Sequence, residues 1–211
     1  MDIARFKKKP VIGILRGIEP DVIEELTETV IFAGLGAIEI TMNTNGAAAL
    51  IAKMARCAKG RIAVGAGTVL KKDSLKSALD AGATFIVTPV MVEDVVKYCV
   101  RNKIPVFPGA LAPSEIYNAW DAGATMVKVF PSSCFGAKYF KEIKGPFNEI
   151  ELLACGGVTP ENMNDYFANG AAAIAFGAGV FKKEWLAKKD FASIGAAVKR
   201  YVDGLKQKKP A

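Results

Sequence analysis

A strand-length apolar stretch, a polar turn and an amphipathic segment ending in glycine recur along most of this chain. The closing glycines include Gly34, Gly82, Gly123 and Gly170, where the left-handed backbone of a helix C-cap is expected. Strands and helices alternating at this spacing indicate parallel strands joined by helical crossovers. We count eight strand–helix units, which predict an α/β fold closed into a (β/α)8 TIM barrel, with an open doubly wound sheet as the alternative.

The same patterns give expected boundaries. Strands are expected over residues 11–16, 37–42, 62–69, 85–89, 105–110, 126–131, 151–155 and 172–177. Helices are expected over 2–9, 19–33, 72–81, 91–102, 113–122, 137–144, 160–169 and 190–206. Because no linker or low-complexity segment interrupts the series, we expect residues 1–211 to form a single barrel domain with a short N-terminal helix.

The chain has 211 residues and no histidine. Metal sites that need imidazole and triads that need a histidine base are therefore excluded, so catalysis must use Lys, Glu, Asp, Arg, Tyr or Cys. No metal and no cofactor are expected. The four cysteines, Cys57, Cys99, Cys134 and Cys155, show no CxxC pairing, and we expect free thiols.

A net charge of +7 raises the question of nucleic acid. The lysines gather at residues 7–9, around residues 182–189 and in the tail at 206–209, without the interleaved aromatic residues on which single strands stack. No apolar run reaches membrane-spanning length, and the first residues lack the apolar centre of a signal peptide. We therefore expect a cytoplasmic protein that binds neither nucleic acid nor membrane.

Lys128 stands in the middle of an apolar strand, Ala124 to Pro131. By strand alternation it shares a face with Met126 and Phe130, which favours an inward direction. Loss of water around an ammonium favours the neutral amine, and a neutral amine can attack a ketone to form a Schiff base. The alternative is a lysine that extends its head group out of the strand end to bind a carboxylate or phosphate.

Polar or reactive side chains stand near the C-terminal ends of six of the expected strands, and in a barrel these ends share one mouth. They are Arg16, Glu39, Thr41, Thr68, Thr88, Lys128 and Cys155. A glutamate and a lysine inside apolar strands are costly to bury unless they are paired or functional. A purely structural ion pair between Glu39 and Lys128 remains the alternative.

Two glycine-rich turns follow the last two expected strands, at residues 155–162 and 176–179. Thr159 is expected to be the N-cap of the following helix, with Pro160 at its first position. In barrels these loops often present backbone N–H groups to a phosphate. The alternative is that the glycines only permit tight turns.

Together these groups suggest a reaction. A Schiff base on Lys128 would turn a ketone into an electron sink, which permits carbon–carbon cleavage without a metal. Glu39 would move protons during cleavage, while Arg16 supplies a fixed positive charge. Two other functions fit the same groups: a phosphosugar isomerase or epimerase without a covalent step, and a phosphosugar-binding sensor.

Motifs spread over nearly the whole chain carry a family resemblance. They are Ile14-Leu-Arg-Gly-Ile-Glu-Pro-Asp21, Ile38-Glu-Ile-Thr, Val64-Gly-Ala-Gly-Thr-Val-Leu70, Phe85-Ile-Val-Thr-Pro89, Phe107-Pro-Gly-Ala110, Lys128-Val-Phe-Pro-Ser-Ser133 and Gly156-Gly-Val-Thr-Pro-Glu-Asn162. In this order they resemble the 2-keto-3-deoxy-6-phosphogluconate (KDPG) and 4-hydroxy-2-oxoglutarate (KHG) aldolases. The resemblance implies a class I lyase that releases pyruvate, a phosphorylated keto-acid substrate and a homotrimer.

The resemblance also implies roles for individual residues. Lys128 matches the Schiff-base lysine and Glu39 the acid and base. Arg16 and Thr68 match positions that contact the substrate, and Pro89 and Phe130 match positions that shape the pocket. The family's phosphate-binding positions are matched by Gly156, Gly157 and Gly179.

Three positions depart from the pattern of many phosphogluconate enzymes. Asn43 stands where an arginine is usual, Cys155 where a threonine is usual, and Gly179 replaces a serine that often helps to hold phosphate. The residues around Asn43 and the segment 130–136 are similar to the 6-phosphogalactonate branch. The preferred C4 epimer is therefore open, and phosphate affinity is expected to rest on backbone amides.

Overall fold

Parallel strands form a ring at the centre of the computed structural model, which describes residues 1–205. Within that range nine strands follow the order β5-β4-β3-β2-β1-β9-β8-β7-β6. Their bounds are β1 Val11–Leu15, β2 Ala37–Thr41, β3 Ala63–Gly67, β4 Ile86–Val87, β5 Val106–Phe107, β6 Gly109–Ala110, β7 Val127–Val129, β8 Leu152–Cys155 and β9 Ala171–Phe176.

The ring closes through β5 and β6, which are two halves of the single strand expected at 105–110. Pro108 separates them, because a proline nitrogen has no hydrogen to give to a ladder. On one side the Thr88 N–H donates to the Phe107 carbonyl at 3.2 Å, and on the other the Lys128 N–H donates to the Pro108 carbonyl at 2.8 Å. The segment therefore joins both ends of the strand order, which confirms the (β/α)8 barrel.

Helices cover the outside of the ring and α1 closes its base. Their bounds are α1 Ile3–Lys8, α2 Ile23–Phe32, α3 Ala47–Ala58, α4 Lys72–Asp80, α5 Glu93–Arg101, α6 Pro113–Asp121, α7 Lys138–Lys144, α8 Met163–Ala168, α9 Lys183–Ala187 and α10 Phe191–Gly204. None of the described helices is long and apolar enough to span a lipid bilayer.

Two helices were absent from the sequence-based expectation. No helix was assigned between residues 42 and 62, yet α3 runs from Ala47 to Ala58 and buries Leu50, Ile51 and Met54. It follows Gly46 without a side-chain cap, so the usual start signal is missing. The short α9 was also missed. The expected end of the last helix at Lys206 and the tail lysines lie outside the described residues.

The predicted glycine stops are confirmed. Gly34, Gly82, Gly123 and Gly170 have φ values of 86°, 94°, 92° and 99°, all in the left-handed region. Because a side chain strains the backbone there, glycine is the residue that can end these helices at the correct angle for the next strand.

Apolar side chains fill the lower part of the ring interior. Phe6 from α1 enters from the base and packs edge-on against Phe107 with ring centroids 6.2 Å apart, and Phe107 packs against Phe85 at 5.9 Å. Gly65 makes room for this layer, since a Cβ there would lie 2.5 Å from the Phe85 ring. With the base filled, the polar interior residues are confined to the C-terminal ends of the strands.

Candidate active site

Lys128 occupies the middle of β7 and points into the barrel. It lies between Gly109 of β6 and Leu153 of β8 in the strand register, and it is only 7% exposed. Its Nζ lies 5.2 Å from the centre of the Phe130 ring, which stands at the rim and is partly exposed. The inward direction predicted from alternation is therefore observed, with Met126 fully buried below.

Glu39 occupies the corresponding place on β2 and is 2% exposed. Burial raises the pKa of its carboxyl above the ordinary value, while the charges of Lys128 and Arg16 act in the opposite direction. Among the described residues Glu39 and Lys128 form no direct ion pair. The structural ion pair considered from the sequence is thus absent, and the two groups interact through space.

Gly67 fixes where the Glu39 carboxyl can lie. A Cβ on Gly67 would be 2.6 Å from Cδ of Glu39 and would overlap its Oε1. The missing side chain at position 67 therefore creates the space that the carboxyl fills. This dependence was not visible in the sequence, where Gly67 appeared only as part of a motif.

Cys155 completes the inner group of reactive side chains at the end of β8. It is 4% exposed, and burial raises the pKa of its thiol, whereas the hydrogen-bonded ammonium of Lys128 and the Arg16 charge oppose that rise. Arg16 itself is exposed just beyond β1. Arg16, Glu39, Lys128 and Cys155 are therefore close enough to influence one another, although they come from four different strand ends. All four cysteines are free thiols, as expected.

The remaining predicted residues lie around this group. Thr68 follows Gly67 with a left-handed backbone at φ 55° and is half-buried. The Pro89 carbonyl lies against Gly109, where a Cβ would overlap it. Asn43 is exposed in the connection between β2 and α3. Thr88 is buried and donates to the Val90 carbonyl at 2.6 Å, so its hydroxyl has a structural partner.

Two buried hydroxyls near the mouth were not singled out from the sequence. Thr44 accepts a hydrogen bond from the Gly17 N–H at 3.0 Å and lies 3.1 Å from the Thr41 hydroxyl, which ties the loop after Arg16 to β2. Ser132 lies between the ends of β7 and β8. In the sequence each of them is only a hydroxyl residue soon after the end of a strand, and that pattern is too common to single out a site residue.

The two glycine-rich turns differ in how strongly the backbone requires glycine. Gly156 and Gly157 have φ values of 92° and 77°, and a Cβ on Gly157 would lie 2.6 Å from Cβ of Ser133. Gly179 is exposed, and nothing would lie within 4 Å of a Cβ there. The first turn therefore needs its glycines, whereas position 179 has room for a side chain.

The expected start of the helix after the first turn is wrong. Thr159 is not its N-cap, because α8 begins at Met163 with Asn162 as the preceding residue. Thr159 and Asn162 instead bond reciprocally, with the Thr159 N–H 2.8 Å from Asn162 Oδ1, and the Asn162 side-chain amide donates to the Gly157 carbonyl at 2.9 Å. This closed turn precedes the helix and holds the Gly157 loop in place.

Comparisons with known proteins agree on one family. The model described as KDPG and KHG aldolase matches residues 3–197. The 2-dehydro-3-deoxy-6-phosphogalactonate aldolase of Escherichia coli K12 is 34% identical, covering 92% of this chain and 95% of that protein. The KHG/KDPG aldolase of the same organism is 30% identical, covering 86% and 85%. A solved structure titled "Native KDPGal structure" superposes with a TM-score of 0.87 at 32% identity, covering 94% and 95%.

Proposed function

The chain belongs to the KDPG and KHG aldolase family, and from that premise we propose that it is a class I pyruvate-releasing aldolase. Its substrate is a 2-dehydro-3-deoxy-6-phospho-gluconate or -galactonate, and its products are pyruvate and D-glyceraldehyde 3-phosphate. The same chemistry would cleave 4-hydroxy-2-oxoglutarate to pyruvate and glyoxylate. The observation that carries the proposal is the buried Lys128 amine inside the same barrel mouth as the buried Glu39 carboxyl.

The first step is imine formation at Lys128. Its neutral amine attacks the C2 ketone of the substrate, and the resulting carbinolamine loses water to give an iminium ion. The partly exposed Phe130 ring, 5.2 Å from Nζ, lies at the rim where the ketone enters.

Carbon–carbon cleavage follows from the iminium ion. Glu39 takes the proton from the C4 hydroxyl, the C3–C4 bond breaks, and its electron pair passes into the iminium to form an enamine while the aldehyde leaves. Glu39 then returns a proton to C3, and hydrolysis of the imine releases pyruvate and the free lysine. A carboxyl whose pKa is raised by burial takes up a proton more readily than an ordinary carboxyl and can then return it, which suits both directions of this transfer.

The other residues bind the two ends of the substrate. Arg16 and Thr68 hold the carboxylate end, Pro89 and Phe130 shape the walls, and the loop at Gly156 and Gly157 with the turn at Gly179 receives the phosphate. Asn43 and Cys155 contact the substrate between these ends. The left-handed backbone of Gly156 and Gly157 supports this assignment, because a glycine turn without side chains lets an anion approach the backbone N–H groups.

A coupled assay tests the proposal. Lactate dehydrogenase reports pyruvate release from each phosphorylated epimer and from 4-hydroxy-2-oxoglutarate. We expect pyruvate from at least one phosphorylated epimer, and its loss after borohydride treatment in the presence of substrate. An isomerase or epimerase without a covalent step would survive borohydride, and a sensor would bind ligand without releasing pyruvate.

We also propose a homotrimer in the cytoplasm. Exposed apolar side chains on the loops after β3, β4 and β7, namely Leu70, Val90 and Phe135, offer surface that a second copy would cover. The phosphorylated substrate is charged and does not cross a lipid bilayer unaided. We therefore expect an enzyme that cleaves it to be located in the compartment where the substrate is made. Light scattering with a measured mass of one chain, instead of three, would refute the trimer.

A further inference from the structure

Ser132 occupies an unusual place just beyond the strand that carries Lys128. It is 2% exposed, although it lies in a short turn, Ser132–Cys134, after β7. Its hydroxyl donates to the Val129 carbonyl at 2.8 Å and accepts from the Cys155 N–H at 3.0 Å. A single side chain thus bonds to the backbones of two neighbouring strand ends.

The link replaces a missing part of the sheet ladder. The last residue pair between β7 and β8 is Val129 with Ala154, so Cys155 extends beyond its partner strand. Without Ser132 the Cys155 N–H would be buried next to the mouth with no acceptor from β7. An alanine side chain can make neither of these two hydrogen bonds, whereas the hydroxyl of a threonine can make both.

The two bonded strand ends carry different parts of the proposed site. Lys128 directly precedes Val129 on β7, and Cys155 directly precedes the Gly156 and Gly157 loop on β8. The Tyr166 hydroxyl of α8 also donates to the Ser132 carbonyl at 3.5 Å. Ser132 is therefore the connection between the strand of the reactive amine and the loop assigned to the phosphate.

The neighbouring residue extends this connection. Ser133 lies directly against Gly157, because a Cβ on that glycine would be 2.6 Å from Cβ of Ser133. The loop thus rests on the same short turn that the Ser132 hydroxyl holds to β8. Movement of this turn would carry the loop with it and leave Lys128 in its strand.

We propose that Ser132 is a positioning residue that sets the distance between the Lys128 amine and the phosphate-binding loop. The inference rests on the proposed function, since it concerns a substrate bound at both ends. A substrate that spans both ends requires the correct spacing, whereas pyruvate occupies only the amine end. Loss of the Ser132 hydroxyl should therefore affect the two ligands unequally.

The experiment compares two reactions in Ser132→Ala, Ser132→Thr and the parent protein. Cleavage of the better phosphorylated epimer is followed by the coupled assay, and imine formation with pyruvate is followed by the rate of borohydride trapping at Lys128. We expect Ser132→Ala to lower kcat/KM for the phosphorylated substrate by about tenfold or more, with pyruvate trapping within about twofold of the parent. Ser132→Thr should restore cleavage.

Controls separate positioning from general stability. Thr27→Val removes another buried hydroxyl, which donates to the Ile23 carbonyl at 2.6 Å on α2 and lies away from the mouth. It should change neither reaction. If Ser132→Ala does not fold, Ser132→Cys keeps the side-chain volume with weaker hydrogen bonds and should show the same unequal effect.

Equal losses in cleavage and trapping, or full cleavage activity in the folded Ser132→Ala protein, would overturn the inference. A parent protein that traps pyruvate but cleaves neither epimer would refute the proposed substrate, and the inference with it. An active parent with equal losses in the variant would refute only the role of Ser132.

Discussion

Replacing Gly67 with alanine should disable the proposed proton shuttle although both reactive residues, Lys128 and Glu39, are left unsubstituted. The added Cβ would lie 2.6 Å from Cδ of Glu39, where ordinary contacts begin at 3.4 Å. The carboxyl must therefore retreat by at least about 0.8 Å, the difference between these two distances, and further where the Cβ would overlap Oε1. Because Glu39 is buried inside the ring, it cannot swing into solvent to escape.

The expected magnitude follows from that shift. Displacing a catalytic group by roughly 1 Å lowers the rate by about a hundredfold. Extra volume in a packed interior destabilises by about 1–3 kcal/mol, and a loss near 2 kcal/mol lowers the melting temperature by roughly 4 to 8 °C for a chain of this size. The Gly67→Ala protein should therefore remain folded at 25 °C with kcat reduced about a hundredfold.

Three measurements isolate the cause. The coupled assay gives kcat, borohydride trapping with pyruvate reports imine formation at Lys128, and thermal unfolding reports stability. We expect trapping to persist in Gly67→Ala, since the amine is unchanged. Gly65→Ala is the matched control, because the same substitution on the same strand meets the Phe85 ring instead of Glu39; it should lose stability with a smaller loss of kcat.

A double variant tests the contact itself. Glu39→Asp shortens the side chain by one methylene, so Gly67→Ala should cost much less in that background, with a coupling of about 1 kcal/mol or more. The reasoning is refuted if Gly67→Ala keeps the parental kcat, or if its effect is the same with aspartate and glutamate at position 39.

Three further predictions concern individual groups. Glu39→Gln should lower kcat about 10²–10⁴-fold, because the proton shuttle is lost. The same change should raise the melting temperature at pH 7, because burial raises the carboxyl pKa and so makes the charged carboxylate unfavourable in the folded chain. This gain in melting temperature should disappear below the ordinary pKa of 4.5, where the carboxyl is protonated in both the folded and the unfolded chain. An unchanged melting temperature at pH 7 would contradict this. Gly157→Ala should destabilise the fold and weaken binding of the phosphorylated substrate, because the added Cβ would meet Ser133. Gly179→Ser should fold normally and lower KM, because it adds a hydroxyl where there is room for one. Equal losses of stability in the two variants, measured by thermal unfolding, would contradict this difference between the two turns. Iodoacetamide should label exposed Cys134 well before Cys155, whose thiol pKa burial raises, and mass spectrometry showing Cys155 labelled first would disprove its inner position.

The barrel and the direction of Lys128 could be predicted because both follow from periodicity. Glycines with a left-handed backbone ended the helices where the sequence placed them, and two-residue alternation oriented β7 correctly. These are local properties that single segments carry on their own.

Other features depend on contacts between segments and were missed. Pro108 divides a strand that reads as continuous, and α8 begins only after the turn that Thr159 and Asn162 close, in spite of a favourable Thr-Pro start. The space that Gly67 leaves for Glu39 and the link through Ser132 join residues on different strands. No pattern within one segment reports such pairs.

The most direct test is to reduce the protein with borohydride in the presence of pyruvate and locate the product by peptide mass spectrometry. We predict a single stable three-carbon adduct on the peptide containing Lys128, with none in Lys128→Ala, and loss of aldol cleavage in both the treated protein and the variant. An adduct elsewhere in the chain, or a Lys128→Ala protein that releases pyruvate at the parental rate, would contradict the account.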